Sequence, residues 1–215
     1  ISIYEKSYKQ APVHKDEKSK IQDLSFLMDR FQIFGDLTSD GTAKASGIEF
    51  LIEKKRAENF YGHIGGTLFN ATYKDLNGDT RNRDYNYRYI FNIVGGFRPK
   101  EKWEISVRWS LFGGKPYTPI DELLSSKLGY EVLFEDQNNE EKTPVYHSLF
   151  IRYDYRKNYG FGNLIGYMEL WNAYNRKNIE NYLYGYNMNI YRLVLFYTNP
   201  IIQSVKQNNN KKITK

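Results

Sequence analysis

From Trp103 to Leu111 every odd residue (Trp103, Ile105, Val107, Trp109, Leu111) is large and apolar, and every even one (Glu104, Ser106, Arg108, Ser110) is polar. A helix would scatter these side chains around its axis. A strand sends successive side chains to opposite faces and collects all the apolar ones on one of them. The same period of two recurs along the chain, while helical periodicity is weak throughout. Tyr85, Tyr87, Tyr89, Phe91, Ile93 and Phe97 alternate with Asn86, Arg88, Asn92 and Arg98, and Leu149, Ile151, Tyr153 and Tyr155 oppose Ser148, Arg152, Asp154 and Arg156. Further strands are expected in the opening segment from Ile1, at Ile48 to Glu53, Phe60 to Tyr73, Leu164 to Tyr174 and Ile190 to Thr198. The sequence therefore predicts an all-β, antiparallel meander of about eight strands.

The connections carry a second regularity. Gln10 to Gly41, Lys74 to Asp84, Gly113 to Thr143 and Asn175 to Asn189 are long, whereas Lys55 to Asn59, Pro99 to Lys102 and Lys157 to Gly162 are short. The two classes alternate strictly. Compact soluble domains favour connections of about 4–6 residues. Tight turns at one rim and extended loops at the other, joined by strands long enough to cross hydrocarbon at a tilt, are the layout of an outer-membrane barrel. Apolar faces would then meet lipid and polar faces a wet lumen. The expectation is a curved open sheet forming part of a transmembrane β-barrel wall. A soluble antiparallel sandwich or barrel with a one-sided core is the competing reading.

Composition narrows the classes further. The 20 Tyr and 13 Phe among 215 residues supply burial that a disordered chain lacks. The mean hydropathy of −0.69, with no apolar run near about 18 residues, excludes a helical span but not a barrel, whose loops and lumen faces dilute half-apolar strands. The absence of cysteine excludes disulfides, thiolate metal sites and cysteine catalysis. The net charge of +6 is scattered, apart from Lys15 to Lys20 and the tail Asn208 to Lys215, and gives no sustained basic face for nucleic acid.

Gly41 to Lys55, Tyr85 to Trp109, Gly113 to Pro119, Tyr146 to Asp154 and Glu169 to Asn178 together resemble the C-terminal barrel portion of TonB-dependent outer-membrane receptors. Gly41-Thr42-Ala43-Lys44-Ala45-Ser46-Gly47-Ile48-Glu49-Phe50-Leu51-Ile52-Glu53-Lys54-Lys55 is similar to a late strand of that family, and Tyr85 to Arg98 with Trp103-Glu104 and Arg108-Trp109 to the hairpin that follows it. Gly113-Gly114-Lys115-Pro116-Tyr117-Thr118-Pro119 is similar to its Ser/Gly-Gly-x-Pro-Tyr-Thr-Pro segment. Tyr146 to Asp154 resembles its Tyr-His-x-Leu-Asp-x-Arg strand, with Phe150 where an Asp is common. Glu169-Leu170-Trp171-Asn172-Ala173-Tyr174-Asn175-Arg176-Lys177-Asn178 resembles its Asn-x-Tyr-Asn-Arg-Lys-Asn element. The matches follow the family's order.

The resemblance implies part of a barrel of about 22 strands around a plug. It also implies active uptake of a scarce ligand (an iron chelate, cobalamin or a glycan) at the cell outer membrane, driven by the TonB protein. The implied partners are outer-membrane lipid, the plug domain, TonB and a small-molecule ligand. No plug and no TonB box lie within these residues, and Tyr197-Thr198-Asn199-Pro200 leads into a polar end where the family closes on an aromatic-terminated strand. The expected organisation is residues 1–198 as barrel wall and 199–215 as a Lys/Asn-rich tail, a fragment inactive by itself. The alternatives are a small closed barrel acting as an adhesin or envelope protein, and a soluble aromatic-rich binding module.

Chemistry-bearing patterns are sparse. There is no nucleophile elbow and no phosphate loop opening a helix, so no catalytic, cofactor or metal residues are assigned and the chain is expected not to be an enzyme. Asp75-Leu76-Asn77-Gly78-Asp79 begins like a calcium loop, but Thr80 and Asn86 stand where Gly and Glu are required, which leaves an Asn-Gly turn. Pro116 to Pro119 reads as a rigid strand exit. His14, His63 and His147 have no ligand spacing. The stronger candidates are the charges that alternation puts on the non-lipid face: Glu104, Arg108, Arg152, Asp154 and Glu169. An Arg facing lipid at the midplane costs about 2–4 kcal/mol, so these belong inside. Tyr117, Asn172, Asn175 and Arg176 are candidate loop contacts for a ligand, with turn formation and interfacial anchoring as their structural alternative.

Overall fold

Long period-two segments leave the chain little choice but to pair edge to edge. In the computed structural model, which describes residues 1–14, 37–74, 76–160, 162–184, 190–191 and 202–204, they do so as one antiparallel sheet. Its strands are β1 (Ser2–His14), β2 (Leu37–Ala57), β3 (Phe60–Lys74), β4 (Thr80–Asn82), β5 (Tyr89–Lys100), β6 (Trp103–Phe112), β9 (Tyr146–Tyr159), β10 (Gly162–Leu170) and β13 (Ile202–Ser204). The order is β1-β2-β3-β5-β6-β9-β10-β13, with β4 alongside β3. Among the described residues β1 and β13 do not pair with each other, so the sheet is open.

Three short reversals, at 58–59, at 101–102 and between the paired Tyr159 and Gly162, lie at one rim. Glu58 sits there at φ 55°. The long connections 15–36, 75–88, 113–145 and the chain after β10 leave from the other rim.

The longest described connection is not structureless. β7 (Pro116–Tyr117) pairs with β8 (Glu141–Lys142). Between them lie helix α1 (Glu122–Leu128) and a 3-10 turn at Glu135–Gln137. Asp121 caps α1 by accepting from the Leu124 amide, and Gly129 ends it at φ 77°, where a side chain would be strained. Ser125, fully buried, holds the return of the chain by accepting from the Val132 amide at 2.9 Å.

Strand boundaries shift where asparagine intervenes. β5 begins at Tyr89 rather than Tyr85, because Asn86 turns inward and Arg88 adopts φ 70°. β10 ends at Leu170 rather than Tyr174, because Asn172 and Asn175 take φ 51° and 53°. Asn tolerates this left-handed region better than most residues. Of the expected strand Ile190 to Thr198, Ile190–Tyr191 form β12 and pair with β11 (Leu183–Tyr184) outside the main sheet, and 192–198 lie outside the described residues. The place beside β10 is taken by Ile202–Ser204, opposite Met168–Leu170.

Register fixes the two faces. Reading across the ladder, Ile3, Ile48, Leu68 and Tyr89 align, as do Ile52, Ile64, Ile93, Trp109 and Leu149 two same-face rows further along. Phe60, Phe97, Ile105, Tyr153 and Met168 form another such row. This face is continuous, apolar and open. Ile3 is 78% exposed, Ile52 66% and Leu68 53%. The buried residues are mostly polar: apart from Val13, Tyr73, Ile120 and Pro116, they include Asn86, Glu104, Ser110, Ser148, Asp154 and Asn172. A water-soluble core has the opposite arrangement.

Candidate functional site

The polar face of the sheet and the loop rim above it carry the chemistry. Register brings Glu104, Arg108, Arg152, Asp154 and Glu169 to the same face, opposite the apolar rows. Four of them join one ion-pair network. Arg152 donates Nε and Nη2 to the two Asp154 oxygens at 2.8 Å each, and Nη1 to Glu169 at 2.6 Å. Glu104 accepts from Arg156 at 2.9 Å and from the Tyr61 hydroxyl. Asp154, at 4% exposure, also lies 3.9 Å from Arg156, which links the two halves.

The planar Arg152 guanidinium can engage both carboxylates at once and still lie 4.2 Å over the Tyr167 ring. The other oxygen of Glu169 accepts from Trp171 at 3.0 Å. Arg108 stands apart from this network, its guanidinium 4.2 Å over the Phe150 ring. Phe150, the residue replacing a common Asp in the resemblance, is therefore an apolar side chain on the polar face.

The loop candidates are held by the rim itself. Asn172, 1% exposed, donates to the Arg176 carbonyl at 3.0 Å and accepts from the Arg176 amide at 3.1 Å, closing a loop around Asn175. Arg176 donates to the Val145 carbonyl at 2.9 Å. Tyr117 packs against Tyr182, ring centroids 4.8 Å apart. Tyr117 is thus separate from the Asn172–Arg176 turn, which is laced to the start of β9. Asn178, which alternation does not single out, extends that lacing by both accepting from and donating to the His147 backbone, at 3.2 and 3.1 Å.

A second set of asparagines ties the loop 75–88 to the loop 113–145. Asn86 is fully buried. It accepts from the Ala71 amide at 3.0 Å and donates to Asn70 at 3.0 Å and Asn82 at 2.9 Å. Asn139 donates to the Asn82 carbonyl and to Asp84, at 3.0 and 2.7 Å. Asn138 reaches the Tyr73 hydroxyl at 2.7 Å, and Arg81 donates to the Asp136 carbonyl at 3.0 Å. Alternation includes Asn86 only as one polar position of an expected strand, and it passes over Arg81, Asn82, Asn138 and Asn139 altogether.

Where the polar face meets these loops there is a recess of about 310 Å³ walled by Tyr87, Phe112, Tyr146, Phe150, Trp171 and Glu180. Phe112 and Tyr146 stack at 5.1 Å, Tyr87 tilts against Phe112 at 6.0 Å, and Trp171 meets Phe150 edge-on at 5.5 Å. Burial, with the Glu180 carboxylate as the second cause, pushes the Tyr87 phenol above its ordinary range. Among the described residues no three His, Asp or Glu side chains group to hold a metal ion, and no helix is long and apolar enough to cross a membrane. Comparison with known proteins finds no matching family model and no matching curated protein.

Proposed function

We propose that the chain forms a section of the wall of an outer-membrane β-barrel, as part of a TonB-dependent receptor that takes up a scarce ligand, and that it is not an enzyme. The observation that carries this reading is the sidedness of the sheet. From β2 to β10 the rows Ile48–Leu68–Tyr89, Ile52–Ile64–Ile93–Trp109–Leu149 and Phe60–Phe97–Ile105–Tyr153–Met168 share one exposed face, while Glu104, Arg152, Asp154, Arg156 and Glu169 pair with one another on the other. Water disfavours the first face, and hydrocarbon would accept it. The distribution of turns and loops adds support, since barrels of this kind keep short turns at one rim and long loops at the other.

The test uses Trp103 and Trp109, which the register assigns to the apolar face, and Trp171 beside the polar face. The full chain is refolded into phosphatidylcholine vesicles carrying brominated acyl chains. The expected result is strong quenching of Trp103 and Trp109 and weaker quenching of Trp171, read from single-tryptophan variants. Recovery as an unquenched, water-soluble monomer would overturn the membrane assignment. The receptor assignment is checked separately in the coding sequence upstream of Ile1, where a plug-like domain and further barrel strands are expected. Finding neither there would remove it.

A further inference from the structure

We infer that the aromatic recess under the loops is a binding site for a compact organic cation, an ammonium group on an apolar body, with Glu180 as its counter-ion. The Oε2 oxygen of Glu180 is buried in the recess wall and accepts no hydrogen bond. Buried carboxylate oxygens ordinarily have donors, and one without a donor calls for a ligand to supply it.

Two other polar side chains of the wall are bonded within the chain, and the Lys115 ammonium faces a ring outside it. Asn178 spends its side chain on the His147 backbone. The Thr143 hydroxyl accepts from the Lys115 amide at 2.9 Å. The Lys115 ammonium is 5.4 Å from the centroid of the Tyr85 ring. The recess therefore offers a buried carboxylate oxygen without a donor, and aromatic faces around it.

That combination discriminates between ligand classes. Aromatic rings attract cations through their quadrupoles, and a carboxylate among them completes the recognition of an ammonium group. An anion would meet the field of Glu180, which already reaches the Tyr87 phenol. The volume, near the lower end for small-molecule pockets, suits a ligand of about one ring. The site needs only the recess and holds whether or not the apolar face meets lipid.

The test uses the full chain refolded in octyl-polyoxyethylene micelles, with Trp103→Phe and Trp109→Phe so that Trp171 reports. Four probes are titrated: phenethylammonium, 2-phenylethanol, 3-phenylpropanoate and glucose. The expected result is saturable quenching by phenethylammonium, at least tenfold weaker binding of the alcohol, and none of the propanoate or glucose. Glu180→Gln is expected to weaken phenethylammonium at least tenfold and to bring it level with the alcohol, with the circular dichroism spectrum unchanged. Equal binding of ammonium and alcohol, preference for glucose, or no saturation by phenethylammonium up to solubility would overturn the inference. The probe comparison on the unsubstituted recess decides the matter even if Glu180→Gln fails to fold. A failure here leaves the lipid-quenching result untouched, so the two readings fall separately.

Discussion

The Tyr61 ring lies against Gly96, its in-register neighbour on β5: a Cβ on Gly96 would come within 2.2 Å of it. Because that position is empty, the phenol passes over the strand and gives its hydroxyl to Glu104 on β6. A glycine in one strand thus lets a second strand bond to a third. Gly96→Val should displace the ring and break the link, costing about 1–3 kcal/mol by overpacking. Tyr61→Phe keeps the ring and loses only the bond, at about 1 kcal/mol. Urea unfolding in micelles should rank them in that order. The double variant should fall short of the sum, since both act on one contact.

Asn86 is expected to govern the loops rather than the sheet. Asn86→Ala leaves the Ala71 amide and two asparagine side chains without their partner. The local cost is about 1–3 kcal/mol. Hydrogen exchange should accelerate in 76–88 and, through Asn82 and Asn139, in 138–142, while β6 and β9 keep their protection. Uniform acceleration across the sheet would contradict the staple.

Charge tolerance should split by face within two neighbouring strands. Ile93 sits midway along β5 in the apolar row, and His63 of β3 lies on the opposite face, beside Val94. In vesicles, Ile93→Arg should cost about 2–4 kcal/mol, whereas His63→Arg should stay within about 1 kcal/mol. Folding yields by gel mobility in lipid and in detergent measure the difference. Equal penalties at both positions would mean that the faces are not in different solvents.

Alkaline titration should pick out Tyr87. Its folded-state pKa is raised, first by burial and then by Glu180, so the folded form holds the phenolic proton more tightly than the unfolded chain. Its contribution to stability is complete below the unfolded value of about 10 and is lost as pH climbs through the folded value. The absorbance difference at 295 nm between the parent and Tyr87→Phe should show a late-titrating tyrosine. Glu180→Gln should move that step downward, and an unmoved step would disconnect the two residues.

What alternation could reveal was a matter of period. The face of each residue from Trp103 to Leu111 follows from a repeat of two, and the register keeps that assignment across β5, β6 and β9. The polar-face grouping of Glu104, Arg152, Asp154 and Glu169 was legible for the same reason. The loops obey no period. Asn86, Asn138 and Asn139 act through side-chain bonds to chain segments remote in sequence, and nothing in their immediate neighbours announces that. Asn172 and Asn175 were noticed for their chemistry, but their left-handed backbone, which ends β10 early, is held by the Asn172 side chain on the Arg176 backbone and by the Asn175 amide on the Asn172 carbonyl. Glu180 was invisible for a related reason. The rings around it come from four separate stretches of chain, and only the assembled rim brings them together.

The tight-turn rim has a consequence for how this sheet can change. An added residue there would swap every following side chain between oil-like and water-like surroundings unless a bulge absorbed it. The register shifts between Lys54 and Ala57 and between Phe97 and Lys100 are such bulges beside the first two reversals. The opposite rim has no such bookkeeping, because its long excursions can absorb added length before the next strand begins. Novelty can therefore be written freely into one edge of the sheet, while the other edge accepts an extra residue only where a bulge restores the register.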